Sequence, residues 1–345
     1  MQLSPPINLD AGRLGKYSIN GAVSAIGLFQ NNPVSSNNPQ EGAFSNAMIF
    51  FQKTDGWFQF YVQAGAYDIA ALGSPFISNS TTNSDLYGPV PVAFAKIIPA
   101  KNTNILIGIL PTLIGAESTF SFQNMNVERG LLWNQENAIN RGVQINQTIG
   151  KFTASLSYND GFYSNRYNWL TGLLSYTNGP HTIAFIGGGN LGQTNWQSLS
   201  TPIQNNSMIF NVIYTFTKGP WVIQPYIQYS DVPTNLKAGI PQGASTFGGA
   251  ILATRVLKKG FSLTGRWEYI GSTGNLASNS ANLLYGPGST AWSLTLTPTY
   301  QYKKFFTRTD IAYVSTGNYT PGYGFGTYGF KPSQTRGVVE LGFLF

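Results

Sequence analysis

Apolar and polar side chains alternate with a period of two along successive stretches of this chain, and the stretches are joined alternately by very short and by long polar connections. The clearest cases lie near the end. Phe261, Leu263, Gly265, Trp267 and Tyr269 alternate with Ser262, Thr264, Arg266 and Glu268. Trp292, Leu294, Leu296, Pro298, Tyr300 and Tyr302 alternate with Ser293, Thr295, Thr297, Thr299 and Gln301. Successive side chains of an extended strand point to opposite faces, so each strand has one apolar, aromatic face and one polar face. A helix would repeat its apolar stripe at about 3.6 residues instead.

The connections decide what the two faces see. Thr54-Asp55-Gly56, Asn178-Gly179-Pro180, Lys218-Gly219-Pro220, Lys258-Lys259-Gly260 and Lys303-Lys304 read as tight hairpin turns. Between them run polar loops over 30–42, 69–89, 115–138, 161–167, 190–205, 232–245, 272–289 and 317–333. Short turns at one end and long loops at the other predict an all-β transmembrane antiparallel barrel; a soluble sandwich has no reason to sort its loops this way. Phe51, Trp57, Phe152, Tyr176, Phe216, Trp221, Phe261, Tyr302 and Phe305 sit beside the short turns, where rings favour the membrane interface and form a girdle.

About sixteen strands are expected, over 16–29, 43–53, 57–68, 90–99, 105–114, 139–149, 151–160, 168–177, 181–189, 206–217, 221–231, 246–257, 261–271, 290–302, 305–316 and 334–345. Barrels of that size leave an aqueous channel. The first strand must pair with the last to remove the edge, which puts both termini at the short-turn end. Residues 1–345 are thus expected to form one barrel domain. Four positions resist the pattern. Arg255 shares phase with Phe247 and Ile251, and Lys96 shares phase with Phe94, while Pro225 and Pro298 lie inside strands they cannot fully hydrogen-bond.

Composition closes off other classes. Charged residues make up 10% of the 345, against about 25% in soluble domains. A mean hydropathy of -0.08 and 39 Gly exclude a helical membrane protein. The longest apolar run, 105–116, is short and holds Pro111. An aromatic content of 14% counts against disorder. With no Cys and a single His, neither a metal nor another cofactor is expected. The net charge of +7 is dispersed, with no basic cluster longer than two residues, so no nucleic-acid partner is expected. Met1-Gln2-Leu3-Ser4-Pro5-Pro6 has neither the basic nor the apolar region of an export signal. The expectation is an exported chain whose signal has been removed, with Met1 an addition to it.

If the apolar phase faces lipid, the lumen receives Gln59, Gln63, Asn211, Gln224, Tyr226, Gln228, Arg266, Glu268, Arg308, Asp310, Arg336 and Glu340. Keeping charges in that phase avoids about 2–4 kcal/mol each at mid-membrane. Arg266, Arg308 and Arg336 lie near the closure seam, and facing Glu117, Glu128 and Glu136 of loop 115–138 they would order water by a transverse field. The plainer alternatives are local ion pairs, Arg266 with Glu268, Arg308 with Asp310 and Arg336 with Glu340, and a solvated surface loop. The excess of wall arginine points to anion preference. The glycine runs 187–189 and 322–326 lack a following helix or a Gly-Lys-Ser/Thr motif, so they are not phosphate loops.

The last strand, Val339-Glu340-Leu341-Gly342-Phe343-Leu344-Phe345, resembles the C-terminal signature by which assembly machinery recognises Gram-negative outer-membrane barrels, with Phe345 as its terminal signal. The strand and loop layout is similar to the general porins over the whole chain. Asn126-Val127-Glu128-Arg129-Gly130-Leu131-Leu132-Trp133-Asn134-Gln135 resembles a segment of the OmpL-like beta-barrel porins. This resemblance implies an outer-membrane channel for passive diffusion of ions and small hydrophilic solutes. It also implies a homo-trimer, surrounding lipid and lipopolysaccharide, and a third loop that folds inward as a constriction. Loop 115–138 matches that loop in position and acidity, with Arg129 beside Glu128, but lacks the Pro-Glu-Phe-Gly-Gly type motif of enterobacterial porins. Rival readings are a substrate-specific channel, which an aromatic ladder in the lumen would mark and Tyr226 alone does not, and a plugged, non-conducting adhesin or structural barrel. Barrel enzymes resemble one another in catalytic His, Ser or Asp residues near the extracellular side. His181 follows a short turn at the opposite end, so no catalytic residue is expected.

Overall fold

The computed structural model describes residues 1, 4–192, 203, 204 and 207–345. Its strands are β1 (Ile7–Asp10), β2 (Lys16–Gln30), β3 (Gln40–Lys53), β4 (Phe58–Tyr67), β5 (Val92–Ala100), β6 (Thr103–Pro111), β7 (Ile139–Ile149), β8 (Phe152–Asn159) and β9 (Trp169–Asn178). They continue as β10 (His181–Asn190), β11 (Met208–Lys218), β12 (Trp221–Val232), β13 (Ala244–Val256), β14 (Phe261–Ser272), β15 (Thr290–Tyr302), β16 (Phe305–Gly317) and β17 (Ser333–Leu344). From β2 onward each strand pairs antiparallel with the next, and β17 returns to β2 in a register running from Arg336↔Gln30 to Leu344↔Ala22. The result is a closed sixteen-stranded antiparallel barrel. Sequence periodicity missed β1, whose four residues are too few to display a period; it covers the edge of β2 beyond the last residue of β17, pairing Ile7↔Ile19 through Asp10↔Lys16. The connection expected over 190–205 falls largely outside the described residues, as does the first residue of the strand expected over 206–217.

The four misfits each have a local cause. Pro225 stays opposite Ile251 on β13, but the ladder to β11 breaks between Tyr226 and Ile223. Pro298 stays opposite Leu263, while the ladder to β16 breaks between Leu296 and Thr299. A missing N–H silences one side of a strand and leaves the other intact. Arg255 points outward next to a short turn, its guanidinium 5.2 Å from the Trp221 ring centroid. It thus keeps its charge at the interface rather than marking a bulge. Lys96 is an inward residue, and the surprise is Phe94, which also faces in and stacks on Tyr61 at 5.6 Å. A bulge falls between Ser24/Ala25 of β2 and β3 and leaves both Ser45 and Asn46 buried on the inner side. Gly65, at φ 142°, crosses β3 so closely that a Cβ would lie 2.0 Å from the Ala47 carbonyl oxygen.

Ile49, Phe185, Phe210, Phe247, Trp267, Leu294, Ile311 and Leu341 are exposed on the outer face, an apolar surface that only lipid can cover. Inside, the connections supply their own apolar filling. Leu72, Leu131, Leu132, Phe162, Tyr285 and Phe325 pack with the wall residues Ile186, Leu252, Ile270 and Val314 in one buried cluster. The inward wall is therefore mixed, and at the seam itself Ile26, Leu28 and Val338 pack with Val127 of loop 115–138. Leu296→Arg, at mid-strand on the outer face, is expected to cost about 2–4 kcal/mol, and Leu257→Arg beside a short turn at most about 1 kcal/mol. Urea unfolding in lipid vesicles measures both, and equal costs would contradict the depth of the barrel in the membrane.

Candidate functional site: an inward loop and its buried charges

Loop 115–138 leaves β6 and returns to β7, and its two ends pass each other at Gly115. There φ is 84°, a conformation that favours glycine, and the Glu136 carboxylate packs against the Cα, with Oε2 1.7 Å from where a Cβ would lie. The loop then crosses the interior. Near its start the Gly115 N–H donates to Asn211 on β11 at 3.3 Å, and near its end Leu132 O accepts from Gln228 on β12 at 2.9 Å. Its middle reaches the far wall, where β14, β16 and β17 present three arginine and acid pairs at i, i+2 and i, i+4 spacing on one face.

Those charges bind the loop. Arg266 Nη1 lies 2.6 Å from Glu117 Oε1 and also donates to Glu128 O at 2.6 Å, while Arg266 Nε is 3.3 Å from Glu268. Glu268 accepts from the Leu132 N–H at 3.4 Å and from Ser293 at 2.6 Å. Asp310 caps the loop backbone, taking the N–H groups of Val127 at 3.2 Å and Glu128 at 2.8 Å. Arg308 donates to the carbonyls of Ser121 at 2.9 Å and Asn124 at 3.1 Å and pairs with Glu340. Glu340 in turn accepts from Ser24, Ser45 and Ser121 at 2.7–2.9 Å, so the β2–β3 bulge that turns Ser45 inward serves this carboxylate. Arg336 reaches Glu128 at 2.8 Å and the carbonyls of Ala71 and Ser74 in loop 69–89 at 2.9 and 3.2 Å.

Arg129 ties the two loops together. It donates to Ala70 O at 3.1 Å and to Thr119 O, its chain pairs with Ala71 in a parallel bridge, and its guanidinium lies 5.8 Å from the Trp133 ring centroid. Among the loop's glutamates Glu136 stands apart: like Asp68 just after β4, it has both oxygens buried without a hydrogen-bond partner. Burial, with Glu117 and Glu268 nearby, pushes its carboxyl well above the ordinary range.

The ten predicted site residues are thus brought together, but not as an exposed ring. None of Glu117, Glu128, Arg129, Glu136, Arg266, Glu268, Arg308, Asp310, Arg336 and Glu340 is more than 4% exposed. The expected field across open water is corrected accordingly: these groups face loop backbone and one another, because a buried guanidinium or carboxylate must be paired. Of the three local pairs, only Arg266 with Glu268 forms, as the longer of two contacts. Arg308 pairs with its cross-strand neighbour Glu340 instead of Asp310, and Arg336 with the loop's Glu128 instead of Glu340. The solvated-loop alternative is excluded by the same contacts.

Sequence reasoning missed the inward aromatics. Phe94 stacks on Tyr61, Tyr61 on Phe50 at 6.4 Å, Phe50 on Phe122 of the loop at 5.3 Å, and Phe122 on Phe120 at 6.2 Å. Phe94 and Tyr61 are half-buried and the other three buried. Phe94 sharing phase with Lys96 was the available signal. On the two sides of the loop lie cavities. One of about 580 Å³ opens at the short-turn end past Gln123, Thr264, Thr299 and Lys303, and one of about 440 Å³ lies toward the long loops, lined by Tyr87, Trp133, Glu136 and Tyr285. Trp57, Phe152, Trp221, Phe261, Tyr302 and Phe305 are all exposed beside the short turns. His181 is exposed there too, its Nδ1 2.6 Å from the Tyr214 hydroxyl. Phe345 exchanges two backbone hydrogen bonds with Gly21, at 2.8 and 3.0 Å, and stacks on Phe343. Among the described residues, no three His, Cys, Asp or Glu side chains are grouped to hold a metal.

Arg308→Met leaves Glu340 buried without its cation and is expected to cost about 3–5 kcal/mol, whereas Arg308→Met combined with Glu340→Gln costs less than the sum of those two single changes. Urea unfolding of the four proteins closes this cycle, and additive costs would show that the pair is not coupled.

A search of curated proteins finds no match to the chain. Among solved structures, the outer membrane channel DcaP of Acinetobacter baumannii superposes with a TM-score of 0.65 at 11% identity, covering 97% of this chain and 99% of that one. OmpF of Salmonella typhi gives 0.64 at 11% identity, over 99% and 100%. In-vitro folded OmpT of Vibrio cholerae in its trimer form gives 0.60 at 12% identity, over 95% and 99%. At such identities the likeness carries the barrel fold alone. The family model described as "Putative beta-barrel porin-2, OmpL-like" matches residues 16–345. With a closed barrel, an apolar outer face and that match along nearly its whole length, the chain belongs to the OmpL-like beta-barrel porin family, the porins of the bacterial outer membrane.

Proposed function

We propose that residues 1–345 work as a single, non-catalytic diffusion unit in which loop 115–138 is the constriction, held by Glu117, Glu128, Arg129, Arg266, Glu268, Arg308, Asp310, Arg336 and Glu340, with Glu136 at its exit. The observation that carries this reading is the laced crossing of the loop from β6 to the far wall, with a cavity on either side of it. Water, ions and small hydrophilic solutes pass from one cavity to the other along the loop. Hydrogen-bonding wall groups such as Gln59, Gln224 and Thr264 replace part of their hydration. Selectivity does not rest on free arginine, because among the ten buried site residues four arginines are set against six carboxyl groups. A mild cation preference follows in place of the anion preference that wall arginine alone suggests.

The assembly proposed is a homo-trimer in lipid and lipopolysaccharide, on the precedent of the trimeric Vibrio OmpT form, with Phe345 read by the barrel-assembly machinery. A substrate-specific channel is the second reading. The half-buried faces of Phe94 and Tyr61, continuous with Phe50 and Phe122, favour it, since rings in a lumen give apolar solute faces a track.

Conductance of the refolded protein in a planar bilayer under a salt gradient tests both. Stepwise openings and a reversal potential of cationic sign are expected, and Glu117→Gln with Glu128→Gln, which loosens the loop, raises the conductance of each step. A folded, inserted barrel that stays silent overturns the channel reading in favour of a plugged structural or adhesive barrel.

A further inference from the structure

The cavity of about 440 Å³ toward the long loops is lined from four connections: Ile77 and Tyr87 from 69–89, Trp133 and Glu136 from 115–138, Leu284 and Tyr285 from 272–289, and Gln204 from 190–205. Its size is that of a small-molecule site, and its lining is mostly apolar and aromatic with a few polar groups. Two of those polar groups are orphaned. Trp133 Nε1 has no acceptor and neither oxygen of Glu136 has a donor, although Trp133 is 9% and Glu136 4% exposed. Glu117 and Glu128 of the same loop each find an arginine, whereas Glu136 has been carried into the interior with nothing to bind. A buried acid and a buried indole N–H, both unpaired on side chains that line one cavity, are groups a ligand engages once those side chains turn toward it.

We propose that this cavity is a binding subsite for an organic monocation, whose ammonium group is held by Glu136 and whose hydrogen-bond acceptor meets Trp133 Nε1, its apolar body lying against Tyr87, Tyr285, Ile77 and Leu284. The proposal deepens the constriction reading of loop 115–138 and rests on it for its place on the solute's route. An ammonium suits the field, because Glu117 from the same loop and Glu268 from β14 add negative charge around Glu136, while Arg129, over the Trp133 ring at 5.8 Å, opposes part of it on the indole side. Arg266, bound to Glu117 and Glu268, offsets part of that charge, and Tyr226 of β12 brings a third unpartnered polar atom, its hydroxyl, near the same acid. Burial, with Glu117 and Glu268 beside it, raises the Glu136 carboxyl, so an ammonium bound there competes with a proton. Binding therefore tightens as pH rises through the carboxyl's raised range and is weakest in acid.

The probe is tyramine, which joins an ammonium, an aromatic body and a hydroxyl, with 4-ethylphenol as its neutral counterpart. Isothermal titration of the refolded full chain is expected to show tyramine binding and little binding of 4-ethylphenol. Glu136→Gln, which removes the ionisable group where neither oxygen holds a partner, keeps the barrel folded by urea midpoint and weakens tyramine about tenfold or more. Trp133→Phe is expected to give a smaller loss while retaining the pH dependence. Equal affinity for tyramine and 4-ethylphenol, or an unchanged affinity in Glu136→Gln, overturns the proposal. Bilayer current separates the two readings: a conducting channel that ignores tyramine sinks the subsite alone, whereas tyramine binding to a silent barrel sinks the channel and sustains the subsite.

Discussion

Hydrocarbon offers no water to an unpaired N–H or C=O, so a strand in a membrane must have a neighbour on each side. In this protein that requirement falls hardest on the seam between β17 and β2, where the chain's last strand meets its first barrel strand over residues 336–344. Everything else is hung on the closed cylinder. Its outer face can be wholly apolar because lipid covers it, and its inner face is free to hold what lipid would reject. Where the ladder fails, at Pro225 and Pro298, it fails on one side only. The closing strand ends within reach of Gly21, where Phe345 takes both of the last backbone bonds.

The inner face near the seam is the second organising feature. Arg266, Arg308 and Arg336 could not lie in lipid, and in a wide tube of water they would gain little from exposed pairing. Loop 115–138 covers them, and once covered each charge needs a partner in a less polarisable setting. Two of the loop's three glutamates and a run of its backbone carbonyls and N–H groups supply those partners. The arginines thereby specify where the loop lies, and Arg129 extends the tie to loop 69–89. Buried ion pairs of this kind are better at choosing one arrangement than at adding stability. The remaining glutamate, Glu136, has no such partner, which singles it out chemically.

Alternation, loop sorting and the terminal aromatic strand were all legible in the residues, because lipid imposes a two-sided pattern that each strand displays locally. Strand ends agree with expectation to within three residues; β3 starts at Gln40 instead of 43, and β6 stops at Pro111 instead of 114. The short β1 was not legible, since four residues cannot display a period. Nor was the bulge at Ser24/Ala25, which inserts a residue whose purpose, Ser45 reaching Glu340, depends on a strand some three hundred positions away. Phe94 broke its strand's phase because it belongs to an inward stack completed by Phe50 and Phe122. No single-strand pattern contains that stack.

The sequence by itself determined the barrel, its orientation by loop length, its apolar belt and the residues that had to face inward, since each follows from whether a side chain meets lipid. Only the tertiary structure decided that Arg308 pairs with Glu340 and Arg336 with Glu128, that the ten charged groups are buried, and that Glu136 is left unpaired in a cavity. Those outcomes depend on how a loop crosses the interior and which wall it reaches. The path is set by long-range charge pairing and the packing of several loops together, which local periodicity does not encode.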